Sequence, residues 1–305
     1  MLDPSQDMPG QCALVTGGTG FIGSHLVDHL QTAGWTVHML ARTNAEHIFP
    51  SSAGVQLHPY RGGTADVTDA MERSRPDVVF HLASLFLAQH TPRQIVPLIE
   101  SNITLGTQLL EAMSAVGVTS LVNAGTSWQH FHCEGYRPVN LYAATNQAFE
   151  DILAYYADAG DIRAVTLSLF DSYGPGDTRK KLLRTLRDSL KTDKELHMSP
   201  GDQVIDLVHV DDICEAFLHA ARLLRDPKHP PLASYAISGG QRMTLRQIVA
   251  TLEQAAGRTV RVNWGARAYR PREVMHLWDG PPMPGWQPRI TLAEGLKALL
   301  WERSL

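Results

Sequence analysis

The residues best spaced for chemistry lie near the start, in Val15-Thr16-Gly17-Gly18-Thr19-Gly20-Phe21-Ile22-Gly23. They follow an apolar run, Cys12 to Val15, that reads as a short buried strand. They open a stretch, 21–33, in which Ile22, Leu26, Val27 and Leu30 recur at helical spacing. Strand, glycine turn and helix in that order make a seat for the pyrophosphate of a dinucleotide. Gly17 permits the tight turn, Gly20 the close approach of the phosphates, and Gly23 the packing of helix on strand. The negative charge then meets unpaired N–H groups at the positive end of the helix. The candidate cofactor contacts here are Gly17, Thr19, Gly20, Phe21, Ile22 and Gly23.

A second strand, 37–40, ends in Ala41-Arg42-Thr43. An acidic residue at that end would hold the adenosine ribose hydroxyls of NAD. Arg42 instead suits a 2′-phosphate, so NADP is favoured, with NAD possible. His130, His132 and Cys133 form a third cluster that invites a metal or acid/base reading. A zinc site needs a fourth ligand and spacings this stretch does not show, so these residues read as a loop over the pocket, with no metal. His81 falls on a strand and reads as a core histidine.

The elements that must position these groups alternate. Strands are expected at 55–60, 77–83, around 121–122 and at 165–170. Helices are expected at 69–75, 95–116, 142–159 and 179–194, the last with a basic face of Arg179, Lys180, Lys181, Arg184, Arg187 and Lys191. The run 171–176 must turn. Thr244…Gln247 and Thr291…Glu294 are possible capping boxes. Such alternation calls for an α/β fold, a doubly wound parallel sheet, with a smaller C-terminal substrate-binding lobe. The dinucleotide-binding domain is expected at 1–170, with 206–228 returning to it, and the substrate lobe at 171–305. The proline- and arginine-rich stretch 264–288 reads as a loop around a ligand.

Composition excludes other classes. A chain of 305 residues with a formal charge of −4 gives no reason to expect nucleic acid or an acidic membrane surface. Three scattered cysteines argue against a disulfide framework and suit a reducing cytoplasm. No apolar run is long enough to span a bilayer, and the first ten residues are too polar for a signal peptide.

Taken together, the glycine fingerprint, Asp66-Val67, Asp77-Val78-Val79-Phe80-His81-Leu82-Ala83, Tyr173-Gly174-Pro175, Val210-Asp211-Asp212 and Gly285-Trp286-Gln287-Pro288-Arg289 resemble the extended short-chain dehydrogenase/reductases of the nucleotide-sugar epimerase/dehydratase group. More narrowly, Thr126-Ser127-Trp128-Gln129-His130, Asn140-Leu141-Tyr142-Ala143-Ala144-Thr145 and Asp177-Thr178-Arg179-Lys180-Lys181-Leu182 are similar to the CDP-abequose and CDP-paratose synthases. Those enzymes reduce the 4-keto group of a CDP-linked deoxyhexose with NADPH. The resemblance implies that Asp66 and Val67 line the adenine, and Leu82, Ala83 and Ser84 the nicotinamide-side ribose and pyrophosphate. It implies that Thr126 polarises the reacting carbonyl, that Tyr142 carries its proton, and that residue 146 holds the nicotinamide ribose. It further implies a homodimer formed through the two long helices.

The chain departs from the family's Tyr-x-x-x-Lys by placing Asn146 four residues after Tyr142. A unit charge near 4 Å is worth about 4 kcal/mol at an effective dielectric of about 20. Its loss raises the tyrosine pKa by up to roughly three units. Neutral tyrosine suits a reductase, which needs an acid, better than an epimerase or dehydratase, which needs tyrosinate. No carboxylate follows Thr126, which argues against dehydration. Asp171 and Ile205 replace the family's asparagine and arginine. Gln129, Arg179, Lys181 and Arg272 are the candidates for the substrate, the cations among them for its diphosphate. The expected function is NADPH-dependent reduction of a nucleotide-linked 4-keto-deoxyhexose. The alternatives are an epimerase with tightly bound NAD and a cofactor-binding homologue with weakened catalysis.

Overall fold

The computed structural model describes residues 10–42 and 54–301. In chain order its first half comprises β1 (Cys12–Thr16), α1 (Phe21–Thr32), β2 (Thr36–Arg42), β3 (Val55–Tyr60), α2 (Thr64–Ser74) and β4 (Val78–His81). Then come α3 (Ile95–Ile99), α4 (Leu105–Val116), β5 (Ser120–Thr126), α5 (Leu141–Ala159) and β6 (Arg163–Leu169). The second half holds β7 (Asp171–Tyr173), α6 (Leu182–Thr192), β8 (Leu196–Met198), β9 (Val204–His209), α7 (Val210–Arg225) and β10 (Leu232–Ile237). It closes with β11 (Arg242–Thr244), α8 (Leu245–Ala256), β12 (Val262–Trp264) and α9 (Leu292–Trp301).

Seven strands form one sheet in the order β10-β6-β5-β4-β1-β2-β3, and every pairing in it is parallel. Parallel neighbours need crossovers, and the helices that supply them cover both faces. Ala13, Leu14, Val15, Val79 and Phe80 are accordingly fully buried, and the central strands β1 and β4 read as nearly unbroken apolar runs. One face packs on α1 and α7 through Leu26, Leu30, Phe217 and Ala221. The other packs on α2, α4 and α5 through Met71, Leu109, Met113 and Leu153. Strand order reverses between β1 and β4, which opens a crevice beyond their carboxyl ends.

The backbone at that crevice is tight. Gly17 lies at φ +73°, and a Cβ there would sit 2.6 Å from the backbone of Leu82 and Ala83. A Cβ on Gly23 would sit 2.1 Å from the carbonyl oxygen of Gly17. Both contacts demand glycine, as the fingerprint anticipates.

The long pattern 95–116 is one helical rod with a π segment, Glu100–Thr104, inside it. Its wider turn brings Asn102 inward. The Asn102 carboxamide accepts from Leu85 N (2.6 Å) and Ser84 Oγ (3.2 Å) and donates to Thr145 Oγ1 (2.9 Å).

The smaller lobe has its own core of Tyr173, Leu186, Leu207, Ile248, Leu252 and Leu296. Both expected capping boxes form, at Thr244/Gln247 and Thr291/Glu294. Four local expectations are corrected. The helix expected at 179–194 begins at Leu182, because the Asp177 carboxylate accepts from Arg179 N (3.0 Å) and holds that stretch in a turn. Arg179, Lys180 and Lys181 therefore lie on a strap before the helix. Asp66 and Val67 lie within the first turn of α2 rather than ahead of it. The first three residues of the expected turn 171–176 pair with β9 as β7. Finally, β10, from the stretch expected in the substrate lobe, completes the main sheet beside β6, returned there by α7. Among the described residues no helix is long and apolar enough to cross a membrane.

Candidate active site

A cavity of about 260 Å³ opens at the crevice. Gly17, Gly20, Phe21, Ile22 and Gly23 line one side, and Leu82, Ser84, Thr126 and Tyr142 the other. It adjoins two further cavities, of about 280 Å³ and 110 Å³, toward the smaller lobe. Trp128 and Asp171 line all three. The glycine side fits a dinucleotide. Gly20 is the N-cap of α1 and supplies no side-chain cap, so first-turn amides remain for a pyrophosphate.

Tyr142 occupies the first turn of α5, which Asn140 caps by accepting from Ala143 N (2.9 Å). Burial raises the Tyr142 pKa, and the Asp171 carboxylate raises it further. The polar side chains of Ser84, Thr126 and Asn146 near its hydroxyl oppose that rise only in part. No cation figures among these groups, so no charge counters the rise. Thr126, at the end of β5, accepts from Trp128 N at Oγ1 (3.3 Å), which leaves its own hydroxyl hydrogen for a substrate oxygen. Asn146 is buried, and its amide nitrogen donates to the Tyr142 carbonyl (2.8 Å).

The remaining sequence candidates divide. Leu82 and Ser84 line the glycine cavity; Ala83 sits behind it, donating N–H to Thr16 Oγ1 (3.2 Å). Thr19 is exposed at the tip of the turn. Arg42 is exposed at the end of β2, and Thr43 lies outside the described residues. The Asp66 carboxylate accepts from Arg61 N (2.7 Å), and Val67 is wholly buried in the core under the sheet, backbone included. Lys181 stands between two cavities, 3.6 Å from Asp171, with its ammonium pKa lowered by burial.

Three substrate candidates have partners that the sequence reading did not give them. Gln129 is buried and faces inward, with Nε2 donating to Gln147 (2.9 Å) and Glu150 (3.1 Å) and Oε1 accepting from Thr126 N (3.2 Å). Arg272 lines the cavity of about 110 Å³ while donating to Val139 O (2.9 Å) and Pro138 O (2.7 Å) and lying over Phe131. Arg179 lines the glycine cavity and neither of the other two.

The sequence reading passed over Trp128, Arg270, Asn102 and Glu150. Trp128 follows Thr126 by two residues, and an aromatic at the carboxyl end of a parallel strand is a signal for a cleft wall. Arg270 lines both outer cavities and pairs with Glu273 (3.2 Å); nothing in the sequence separates it from Arg272. Glu150 braces Gln129, and burial pushes its carboxyl up to about 7.

The His130 cluster forms part of a clasp between loops. His130 stacks on Trp278 with ring centroids 3.7 Å apart, and Cys133 Sγ meets Leu277 O at 3.3 Å. Among the described residues no three His, Cys, Asp or Glu side chains are grouped to hold a metal. His81 is buried on β4, with Nδ1 2.7 Å from Thr16 Oγ1.

The family model described as NAD dependent epimerase/dehydratase family matches residues 13–235. CDP-abequose synthase of Salmonella typhimurium is 25% identical over 296 residues, covering 94% of this chain and 96% of its own. UDP-glucose 4-epimerase of Azospirillum brasilense is 25% identical, covering 96% of this chain and 92% of its own. Among solved structures, UDP-glucose 4-epimerase of Thermus thermophilus in complex with NAD superposes with a TM-score of 0.76 at 27% identity, covering 94% of this chain and 97% of its own.

Proposed function

The chain belongs to the NAD-dependent epimerase/dehydratase family, and from that premise we propose that it reduces the 4-keto group of a nucleotide-linked deoxyhexose with NADPH. The observation that carries this reading is the Tyr142 phenol, half-buried at the cavity with its pKa raised by burial, and followed one helical turn on by Asn146 rather than a cation. A phenol in that state is an acid ready to protonate an alkoxide, and a poor base for abstracting a proton from a sugar hydroxyl. Gly17, Gly20 and Ser84 would hold a reduced nicotinamide dinucleotide in this cavity, and it would supply the hydride when bound. Thr126 donates its hydroxyl hydrogen to the carbonyl oxygen and polarises it. Tyr142 then delivers its proton to that oxygen, with Ser84 and Asn146 holding the phenol in line. The similarity to CDP-abequose synthase of Salmonella typhimurium points the same way.

Arg42, exposed at the end of β2 with no carboxylate there, supports NADPH over NADH, since a guanidinium can pair with a 2′-phosphate. Lys181 and Arg270 are assigned to the substrate diphosphate from the walls of the outer cavities. The same reading carries a homodimer through the long helices, on which Val96 and Tyr155 are exposed.

The test is NADPH oxidation across CDP-, dTDP- and GDP-linked 4-keto-6-deoxyhexoses. Turnover on at least one is expected, and none on any would sink the proposal. The epimerase reading draws on the UDP-glucose 4-epimerase of Azospirillum brasilense, which aligns over as much of the chain. It requires tyrosinate at Tyr142, and NAD(H) that stays bound through purification would favour it.

A further inference from the structure

Arg179 was expected at the substrate, yet it stands over the glycine turn. Its guanidinium carbon lies 4.3 Å from the ring centroid of Phe21, the first residue of α1, and it lines the cavity that Gly20, Phe21 and Ile22 line. Two partners fix its plane from the other side. Asp177 accepts from Nε (2.7 Å) and Nη2 (2.8 Å), and Ser172 accepts from Nη2 through both its carbonyl and its hydroxyl, each at 3.1 Å. Among the described residues Nη1 has no partner, so two of the five guanidinium hydrogens remain.

We propose that Arg179 clamps the pyrophosphate of the dinucleotide, closing over it from the smaller lobe while the first-turn amides of α1 hold it from the sheet side. This rests on reading the glycine cavity as the cofactor site. A guanidinium already stacked and hydrogen-bonded loses little conformational freedom when an anion arrives. Asp177 balances its charge, so the clamp offers directed N–H donors more than net positive charge. Because Arg179 belongs to the strap between β7 and α6, the strap must open for the cofactor to leave. Arg179 thus governs cofactor retention, whereas Arg270 lines only the neighbouring cavities and Lys181 stands at the boundary between one of them and the glycine cavity.

The experiment is a fluorescence titration of NADPH and NADH, with ADP-ribose and CDP as competitors, into unmutated, R179A and R179K proteins whose folding is checked by circular dichroism. R179A should weaken both cofactors and ADP-ribose by about tenfold or more, because all three carry the pyrophosphate and lose the same charge-assisted bonds. R179K, with a charge but no fork, should recover only part. The NADPH-to-NADH ratio and CDP affinity should not move. Cofactor affinity within twofold of the unmutated protein in folded R179A, or a loss confined to CDP, would overturn the clamp alone. Failure of the unmutated protein to bind NADPH, NADH and ADP-ribose would overturn the cofactor site as well.

Discussion

Tyr142 is the residue whose chemistry depends most on one neighbour. Burial and Asp171 raise its pKa, and Asn146 answers with a hydrogen bond where a lysine would answer with charge. Asn146→Lys should therefore lower that pKa by about one to three units, the usual effect of an opposite charge within reach. Turnover in the oxidation direction should rise most, and the alkaline limb of its pH profile should move down. Tyr142→Phe should abolish both directions in either background. The check is a pH series of kcat/KM for both directions in the single and double variants. Persisting activity in Tyr142→Phe would assign the proton to another group.

At the scale of elements, the π segment between α3 and α4 does what a regular helix could not. It holds Asn102 where it ties the loop after β4, carrying Ser84, to α5, carrying Thr145 beside Asn146. Two segments of the Tyr142 environment are thus fixed by one buried side chain. Asn102→Ala leaves the Leu85 N–H and the Thr145 and Ser84 hydroxyls with a lost partner. An unsatisfied buried group costs about 1–3 kcal/mol, so a total of about 2–4 kcal/mol is expected. Urea unfolding would read that cost, and hydrogen exchange at the Leu85 amide should quicken well beyond the global change. Equal stability with unchanged exchange would mean the loop is held by other contacts.

The molecule as a whole carries buried titratable groups of opposite sign. His81 is fully enclosed, and burial lowers its pKa from 6.5 to about 4. His38 and His58, 2.8 Å apart, shift the same way through burial. Such groups bind protons in the unfolded chain before they do in the fold, so their contribution is complete above about pH 6.5 and is lost as pH falls toward 4. His81 alone accounts for about 3 kcal/mol over that span. Glu150 runs the other way: its carboxyl is raised to about 7, so its contribution is present below the unfolded value and lost as pH rises through 7. The three histidines should prevail, and stability should fall from pH 6.5 to 4.5. His81→Gln should flatten that fall, as denaturant midpoints at several pH values would report. An unchanged slope in the variant would place the acid sensitivity elsewhere.

The sequence determined what depends on near neighbours in the chain. The Gly17–Gly23 turn, the apolar parallel strands, the helix caps at Thr244 and Thr291, and the pairing of Tyr142 with Asn146 all follow from spacing within a few residues. They needed only the pleat, the helical period and the limits on φ. The direction a long polar side chain takes is set by partners far away in the sequence. Arg272 is captured by Val139 O, 133 residues distant, and Gln129 by Glu150, 21 residues on. Arg179 misled for a local reason as well: the Asp177 side chain stopped the helix that the basic spacing promised, and placed the guanidinium over Phe21. Only packing the smaller lobe against the sheet decided which cations face which cavity, because charge and reach are properties of a residue while its partner is a property of the fold.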